Sequence, residues 1–243
     1  ITDLLAGSGT HKLKVKVTDP TDTWCQARGK QKLSPNGIWY TAVTGIWQTV
    51  WMEPVSESHV KSYNVVADID ASVAKVSVNA VLAEGDACEV VIMENGNVIN
   101  KGRGTEVVLD VPQMKLWSPD SPYLYDVEIN IVRDGAVVDH VSGYAAMREI
   151  SCERDADGHK RMCLNGEPLF QYGPLDQGWW PDGLYTAPSD EALVFDIQKT
   201  KDFGFNMIRK HVKVEPARWY WHCDRLGMLV WQDMPNIADN HGN

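Results

Sequence analysis

The residues best suited to chemistry sit at the ends of two short apolar runs between Phe205 and Pro235. Arg209, Lys210 and His211 follow the first run, Phe205 to Ile208. Gln232 and Asp233 follow the second, Met228 to Trp231. An amphipathic stretch lies between the runs, so the segment reads as strand, helix, strand. A parallel βαβ unit brings the carboxyl ends of both strands to one side of the sheet. α/β proteins place their binding and catalytic groups on that side. Arg209 and His211 are two residues apart and share one face of an extended segment. Lys210 and Lys213 read as solvated charges.

The elements that must position these groups begin at about residue 147. Cys163 to Pro168 reads as a turn and Leu169 to Tyr172 as a short strand, followed by a long loop from Gly173 to Pro188. Ser189 caps a helix with Asp190 and Glu191 in its first turn, where negative charge meets the helix dipole favourably. Leu193, Ile197 and Thr200 recur at helical spacing, and Gly204 stops the helix. A second helix opens at Pro216, presents Trp219, Cys223 and Leu226 on one face, and ends at Gly227. The order β-α-β-α-β opens a doubly wound sheet or a barrel.

The chain before residue 147 reads as β. Val73 to Leu82, Cys88 to Met93, Val98-Ile99, Val107 to Val111, Tyr123 to Ile131 and Val137 to Val141 predict short strands. Asn95-Gly96 is a two-residue hairpin signal, and Asp134-Gly135 makes another turn. Roughly seven strands over residues 57–146 fit an immunoglobulin-like sandwich. Nearer the start, Leu13, Val15 and Val17 alternate with lysines and predict a strand, as does Gly45 to Trp51. Two or three strands do not make a sandwich alone, so residues 1–56 read as the last portion of a larger β domain.

The 243 residues carry a net charge of −10, which argues against nucleic acid or an acidic membrane surface as partner. No run approaches the length of a membrane span. No signal peptide is visible, and the first residues lie mid-pattern without an initiator Met. The five cysteines, Cys25, Cys88, Cys152, Cys163 and Cys223, show no CxxC or Cys/His cluster. Neither a disulfide framework nor a metal site is indicated, and buried free thiols are expected. No cofactor motif is present. Most of the ten tryptophans are expected in core packing and junctions.

Four stretches, in order, resemble glycoside hydrolase family 2, which holds β-galactosidases, β-glucuronidases and β-mannosidases. Gly45 to Trp51 looks like the closing strand of its sugar-binding domain. Leu116 to Tyr125 is similar to its LWSPxxPxLY segment, Leu164 to Pro168 to its LNGKP entry to the barrel, and Gly204 to Arg209 to its GxNxxR strand. The resemblance implies a multidomain, mainly β architecture. Residues 1–56 would be the end of a galactose-binding-like jelly roll and residues 57–146 the immunoglobulin-like sandwich. Residues 147–243 would be the first strands and helices of a (β/α)8 TIM barrel.

The resemblance also implies a retaining exo-β-glycosidase acting through two glutamates, with carboxyls about 5 Å apart. In the family these follow the fourth and seventh barrel strands, and no matching Asn-Glu pair follows Pro235. The chain is therefore expected to be a catalytically silent fragment that holds the supporting side of a sugar pocket. On that reading Arg209, His211, Asp233, Asp176, Trp179 and Trp180 bind substrate. Arg209 would hydrogen-bond a sugar hydroxyl and hold the nucleophile ionised, and a loop Trp would stack on the ring. Structural roles compete: an ion pair for Arg209, a rim contact for Asp233, and packing for the tryptophans. Family β-galactosidases carry an aspartate just before the turn that corresponds to Thr44-Gly45-Ile46. Residues 38–46 contain no acid, which weighs against galactose specificity and a linked sodium site. The substrate order is β-galactoside, then β-glucuronide or β-mannoside. A different class also fits the two β domains: a non-catalytic carbohydrate-binding or interaction module. An unpaired barrel edge is compatible with a homo-oligomer, and a periplasmic or secreted bacterial location fits a polysaccharide degrader.

Overall fold

The computed structural model describes residues 2–5, 7, 9–23 and 26–236. A 3-10 turn, Thr2–Leu5, opens the described chain. Two short strands follow, β1 (Gln31–Lys32) and β2 (Tyr40–Thr41), paired in parallel. The strands expected at Leu13 to Val17 and at Gly45 to Trp51 do not form. Both stretches lie outside any ladder, with Leu13, Ile46 and Trp51 exposed. Alternation selects which face a strand would bury, but a strand exists only where a neighbour takes its N–H and C=O groups. Among the described residues no strand pairs with either stretch.

Seven antiparallel strands come next: β3 (His59–Asp68), β4 (Val73–Val81), β5 (Ala87–Glu94), β6 (Asn97–Arg103), β7 (Glu106–Asp110), β8 (Tyr125–Arg133) and β9 (Ala136–Ala145). They form two sheets, ordered β3-β4-β7 and β6-β5-β8-β9. β3 lies outside the strands expected from sequence. Inward residues from both sheets make one core, including Val76, Val90, Leu109, Tyr125, Ile129 and Ile131. Asn95 and Gly96 both take positive φ (50° and 78°) between paired Glu94 and Asn97, as a hairpin whose twist matches its strands requires.

A second, mixed unit follows. β10 (Ile150–Arg154), β11 (Lys160–Leu164) and β12 (Glu167–Pro168) form a small antiparallel sheet. β13 (Leu175–Asp176), β14 (Met207–Lys210) and β15 (Leu229–Gln232) are parallel neighbours, separated in sequence by α1 (Asp190–Asp202) and α2 (Ala217–Leu226). The strand expected at Leu169 to Tyr172 does not form there; β13 begins three residues beyond its expected end, at Leu175. The Asn206 side chain explains the shift: its Oδ1 accepts from the Tyr172 N–H (2.8 Å) and its Nδ2 donates to the Phe170 carbonyl (2.9 Å). A side chain thus takes backbone groups that a ladder would have used.

Alternation along β14 and β15 separates two faces. Ile208 packs with Leu193, Ile197, Trp219 and Cys223 against the helices. Met207 and Leu229 turn the other way and meet Trp117 and Leu164 at the amino ends of the strands. Ser189 caps α1 as expected, its Oγ accepting from the Ala192 N–H. Pro216 is the N-cap of α2 rather than its first helical residue. Cys88, Cys163 and Cys223 are buried free thiols as expected; Cys152 is exposed, on the solvent side of β10, and Cys25 lies outside the described residues. No helix among the described residues is long and apolar enough to cross a membrane.

Candidate functional site

The candidate site is built at the carboxyl ends of β14 and β15. The register sets Arg209 beside Trp231 and Lys210 beside Gln232. Arg209 therefore rises from the face away from the helices, and His211, two residues on, points the same way. Asp233 joins them. Its carboxylate accepts from Arg209 Nε (3.1 Å) and Nη2 (3.0 Å) and lies 2.6 Å from His211 Nδ1. The Asp233 N–H donates to the Lys210 carbonyl (2.9 Å), which ties the two strand ends together. Burial pushes the Asp233 carboxyl up, but hydrogen bonds from His211 and Arg209 outweigh it and hold the group below the ordinary carboxylate range. The guanidinium remains about half exposed, so its outer N–H groups can meet a ligand. The three residues form one donor-rich constellation around a single carboxylate, suited to binding hydroxyls or a second carboxylate.

The other residues singled out in the sequence are not in that constellation. Asp176 lies beside Lys210 in the register and faces the helix layer, where its carboxylate takes the Lys210 ammonium at 2.6 Å. Trp179 stacks on Tyr40 of β2 with ring centroids 4.4 Å apart and planes 8° from parallel. That face is occupied by protein. Trp180 packs toward the helix core, and its indole N–H is buried without a hydrogen-bond partner.

Lys210 and Lys213 are not solvated. Both are about 1% exposed, and Glu215 is buried between them. Glu215 Oε1 lies 2.9 Å from the Lys210 ammonium and 3.1 Å from that of Lys213. Two cations and two carboxylates (Glu215 and Asp176) balance within the cluster, which is what allows lysine heads to leave water. Tyr220 donates to Gln232 Oε1 and accepts from the Glu215 N–H (3.2 Å), and Gln232 Nε2 donates to the Lys213 carbonyl (2.8 Å). The sequence carried a signal for this layer: Lys210 alternates with Arg209 and shares the face of buried Ile208, so it had to enter the helix side.

Asp155, Asp157 and His159 converge in the β10–β11 turn. Asp155 already accepts from the N–H groups of Asp157 and His159 and from Arg161 Nε, which accounts for the convergence as a turn.

Comparison with known proteins bears out the resemblance read from the sequence. Residues 44–148 match the family model of glycosyl hydrolases family 2. A β-galactosidase of Lactococcus lactis subsp. lactis is 28% identical over 205 residues, covering 82% of this chain and 20% of its own length. A putative β-glucuronidase of Formosa agariphila is 28% identical over 217 residues, covering 83% of this chain and 20% of its own length. Among solved structures, the β-glucuronidase of Ruminococcus gnavus in complex with D-glucuronic acid superposes with a TM-score of 0.67 at 22% identity. That match covers 74% of this chain and 30% of the other, and it establishes likeness of fold. The chain spans 20 to 30% of the length of the curated relatives it matches.

Proposed function

We propose that this chain, which belongs to glycosyl hydrolase family 2, forms part of the carbohydrate-binding side of a retaining exo-β-glycosidase. The observation that carries the reading is Asp233 shared by Arg209 and His211 at the carboxyl ends of adjacent parallel strands. In this reading residues 147–243 begin a (β/α)8 barrel, residues 57–146 are its immunoglobulin-like neighbour, and residues 1–56 belong to a jelly-roll sugar-binding domain. Arg209 and His211 present donors to sugar hydroxyls, or to the carboxylate of a uronic acid, and Asp233 holds both in place. Asp176, Trp179 and Trp180 support the wall from behind.

Retaining hydrolysis uses one glutamate as acid/base and another as nucleophile. Neither role is assigned to a residue of this chain, so the isolated chain binds without turning over. The substrate is a terminal β-linked sugar: a β-galactoside first, a β-glucuronide next and a β-mannoside third.

The test is to incubate the 243-residue chain with chromogenic β-galactoside and β-glucuronide, and to titrate it with the corresponding methyl glycosides by NMR. Binding without hydrolysis, weakened at least tenfold by Arg209→Ala, is the expected result. Tenfold corresponds to about 1.4 kcal/mol, within the range of a charge-assisted hydrogen bond. Turnover at an enzyme-like rate would overturn the assignment of the glutamates. Binding indifferent to Arg209→Ala would overturn the role of the wall.

A further inference from the structure

The Lys213 ammonium is the most completely committed group in the buried layer beneath the wall. Its three donors are matched by the Gly178 carbonyl (2.6 Å), the Tyr185 carbonyl (2.8 Å) and Glu215 Oε1. It also lies over two rings, 4.5 Å from the centroid of Tyr185 and 5.4 Å from that of Trp47. Trp47 belongs to the N-terminal segment, and its ring meets Tyr185 edge-on at 4.5 Å. Tyr185 in turn meets Trp179 at 5.4 Å, and Trp179 stacks on Tyr40, so an unbroken aromatic row runs from Trp47 back to β2.

The same seam carries three polar ties. Thr186 Oγ1 donates to the Trp47 carbonyl (3.1 Å), Lys30 Nζ to Gln177 Oε1 (2.7 Å), and the Arg28 N–H to the Asn236 carbonyl (3.0 Å). Beside the seam lies a cavity of about 570 Å3. Its lining includes Trp47, Tyr185, Asp19, Gln26, Gln31 and Pro235. Gly178 belongs to the same fit: a Cβ there would come within 2.5 Å of Glu215 Oε1 and 2.9 Å of the Lys213 ammonium.

We propose that Lys213 is a positioning residue whose ammonium seats Trp47 and Tyr185, and through them the N-terminal segment, over the carboxyl ends of the parallel strands, shaping the carbohydrate-facing cavity there. The proposal rests on reading that end of the sheet as the carbohydrate side. The physical reason for a lysine is specific. A cation over an aromatic face is attracted more strongly when both are desolvated, and only a charged head with several donors can grip two loop carbonyls and two rings together. Burial pushes the Lys213 ammonium below the ordinary lysine range, and the Glu215 carboxylate opposes that push. Glu215 and the two loop carbonyls hold the charge at the seam.

The experiment compares the whole chain with Lys213→Met and Trp47→Leu by amide hydrogen exchange, near-ultraviolet circular dichroism and titration with methyl β-D-galactoside and methyl β-D-glucuronide. Lys213→Met is expected to speed exchange of the Arg28, Tyr40 and Gly178 amides by about tenfold or more, the scale of a lost desolvated cation–π contact. It should diminish the near-ultraviolet band of the aromatic row, leave α1 and β8 amides protected, and weaken glycoside binding. Trp47→Leu removes the ring and leaves the buried charges intact, so it should release the Arg28 and Tyr40 amides in the same way; if Lys213→Met does not fold, unchanged protection in Trp47→Leu overturns the proposal. Unchanged protection at Arg28 and Tyr40 in a folded variant would overturn the proposal. So would release of those amides with glycoside binding undiminished. If the wild-type chain binds neither glycoside, the carbohydrate reading falls together with the proposed purpose of the seam, while the exchange data still decide whether Lys213 holds it.

Discussion

A single carboxylate, Asp233, satisfies a guanidinium and an imidazole at once, and it does so from a partly exposed position. Its folded-state pKa lies below the ordinary carboxylate value. The stabilisation it supplies is therefore present above that ordinary value and is lost as pH falls through the depressed one. Asp233→Asn keeps the size and removes the charge. It should cost about 1 kcal/mol near pH 7, a modest figure because solvent screens the half-exposed arginine. The difference from wild type should shrink below about pH 4, as urea unfolding at pH 7, 5 and 3 would register. A constant difference across that range would show that the charge is not what matters. The sequence displayed the Arg209–His211 pairing because alternation by two is rigid in an extended chain. It concealed Lys213 and Glu215, because a lysine in a loop is ordinarily solvated and nothing local reveals that a tryptophan more than 160 residues away covers it.

Helix ends show where local reading stops and tertiary contact begins. Gly204 and Gly227 both follow helices and both take positive φ, 84° and 75°. From sequence they are equivalent stop signals. In the fold they differ. A Cβ on Gly204 would enter open space, whereas one on Gly227 would press into the Pro119 carbonyl of the Leu116 to Tyr125 segment, beside the Lys201 ammonium. Lys201 donates to both the Pro119 and Gly227 carbonyls (2.7 and 3.2 Å), so the contact has no slack. Gly204→Ala should cost only the left-handed strain, about 1 kcal/mol. Gly227→Ala adds a backbone collision and should cost roughly 2–4 kcal/mol. Thermal unfolding of the two variants side by side tests the contrast, and equal losses would refute it. The hairpins at Asn95-Gly96 and Asp134-Gly135 were legible because their φ requirement is local. The Leu13 to Val17 and Gly45 to Trp51 stretches depart from their pattern for the converse reason: a period-two pattern states a preference for pairing and cannot supply the neighbour.

One side chain of α2, Asp224, carries the charged part of the junction between the two units. Asp224 accepts from the Tyr144 hydroxyl (2.9 Å) and from Arg148 Nη1 (2.7 Å), both at the exit from the sandwich. Its backbone carbonyl accepts from the indole N–H of Trp117 (2.7 Å), a fully buried residue over which the Arg148 guanidinium lies at 4.3 Å. Trp117 also packs on Leu164, Met207 and Leu229 under the amino ends of the parallel strands. The LWSP stretch is thus a joint, and this explains its recognisable spelling: the indole must reach a helix carbonyl while its carbonyl takes Asn165 Nδ2 (3.0 Å). Burial and then the Asp224 charge push the Tyr144 hydroxyl upward, so the phenol stays protonated and available to donate. Asp224→Ala leaves a half-buried phenol and a guanidinium without their acceptor. The loss should be about 2 kcal/mol, below that of a fully buried pair because Arg148 keeps some solvent. More telling is where the loss falls. It lies on the contact between units and leaves each core intact, so calorimetry should show one cooperative transition in the wild type and two resolved transitions in Asp224→Ala, with the sandwich melting last. Tyr144→Phe removes one hydrogen bond and keeps the ion pair, and it should lower the midpoint without splitting the transition. If Asp224→Ala melts as a single transition at the wild-type temperature, the units are coupled elsewhere. The Trp117 cluster with Leu164, Met207 and Leu229, and the Lys201 bond to the Pro119 carbonyl, would then carry the coupling.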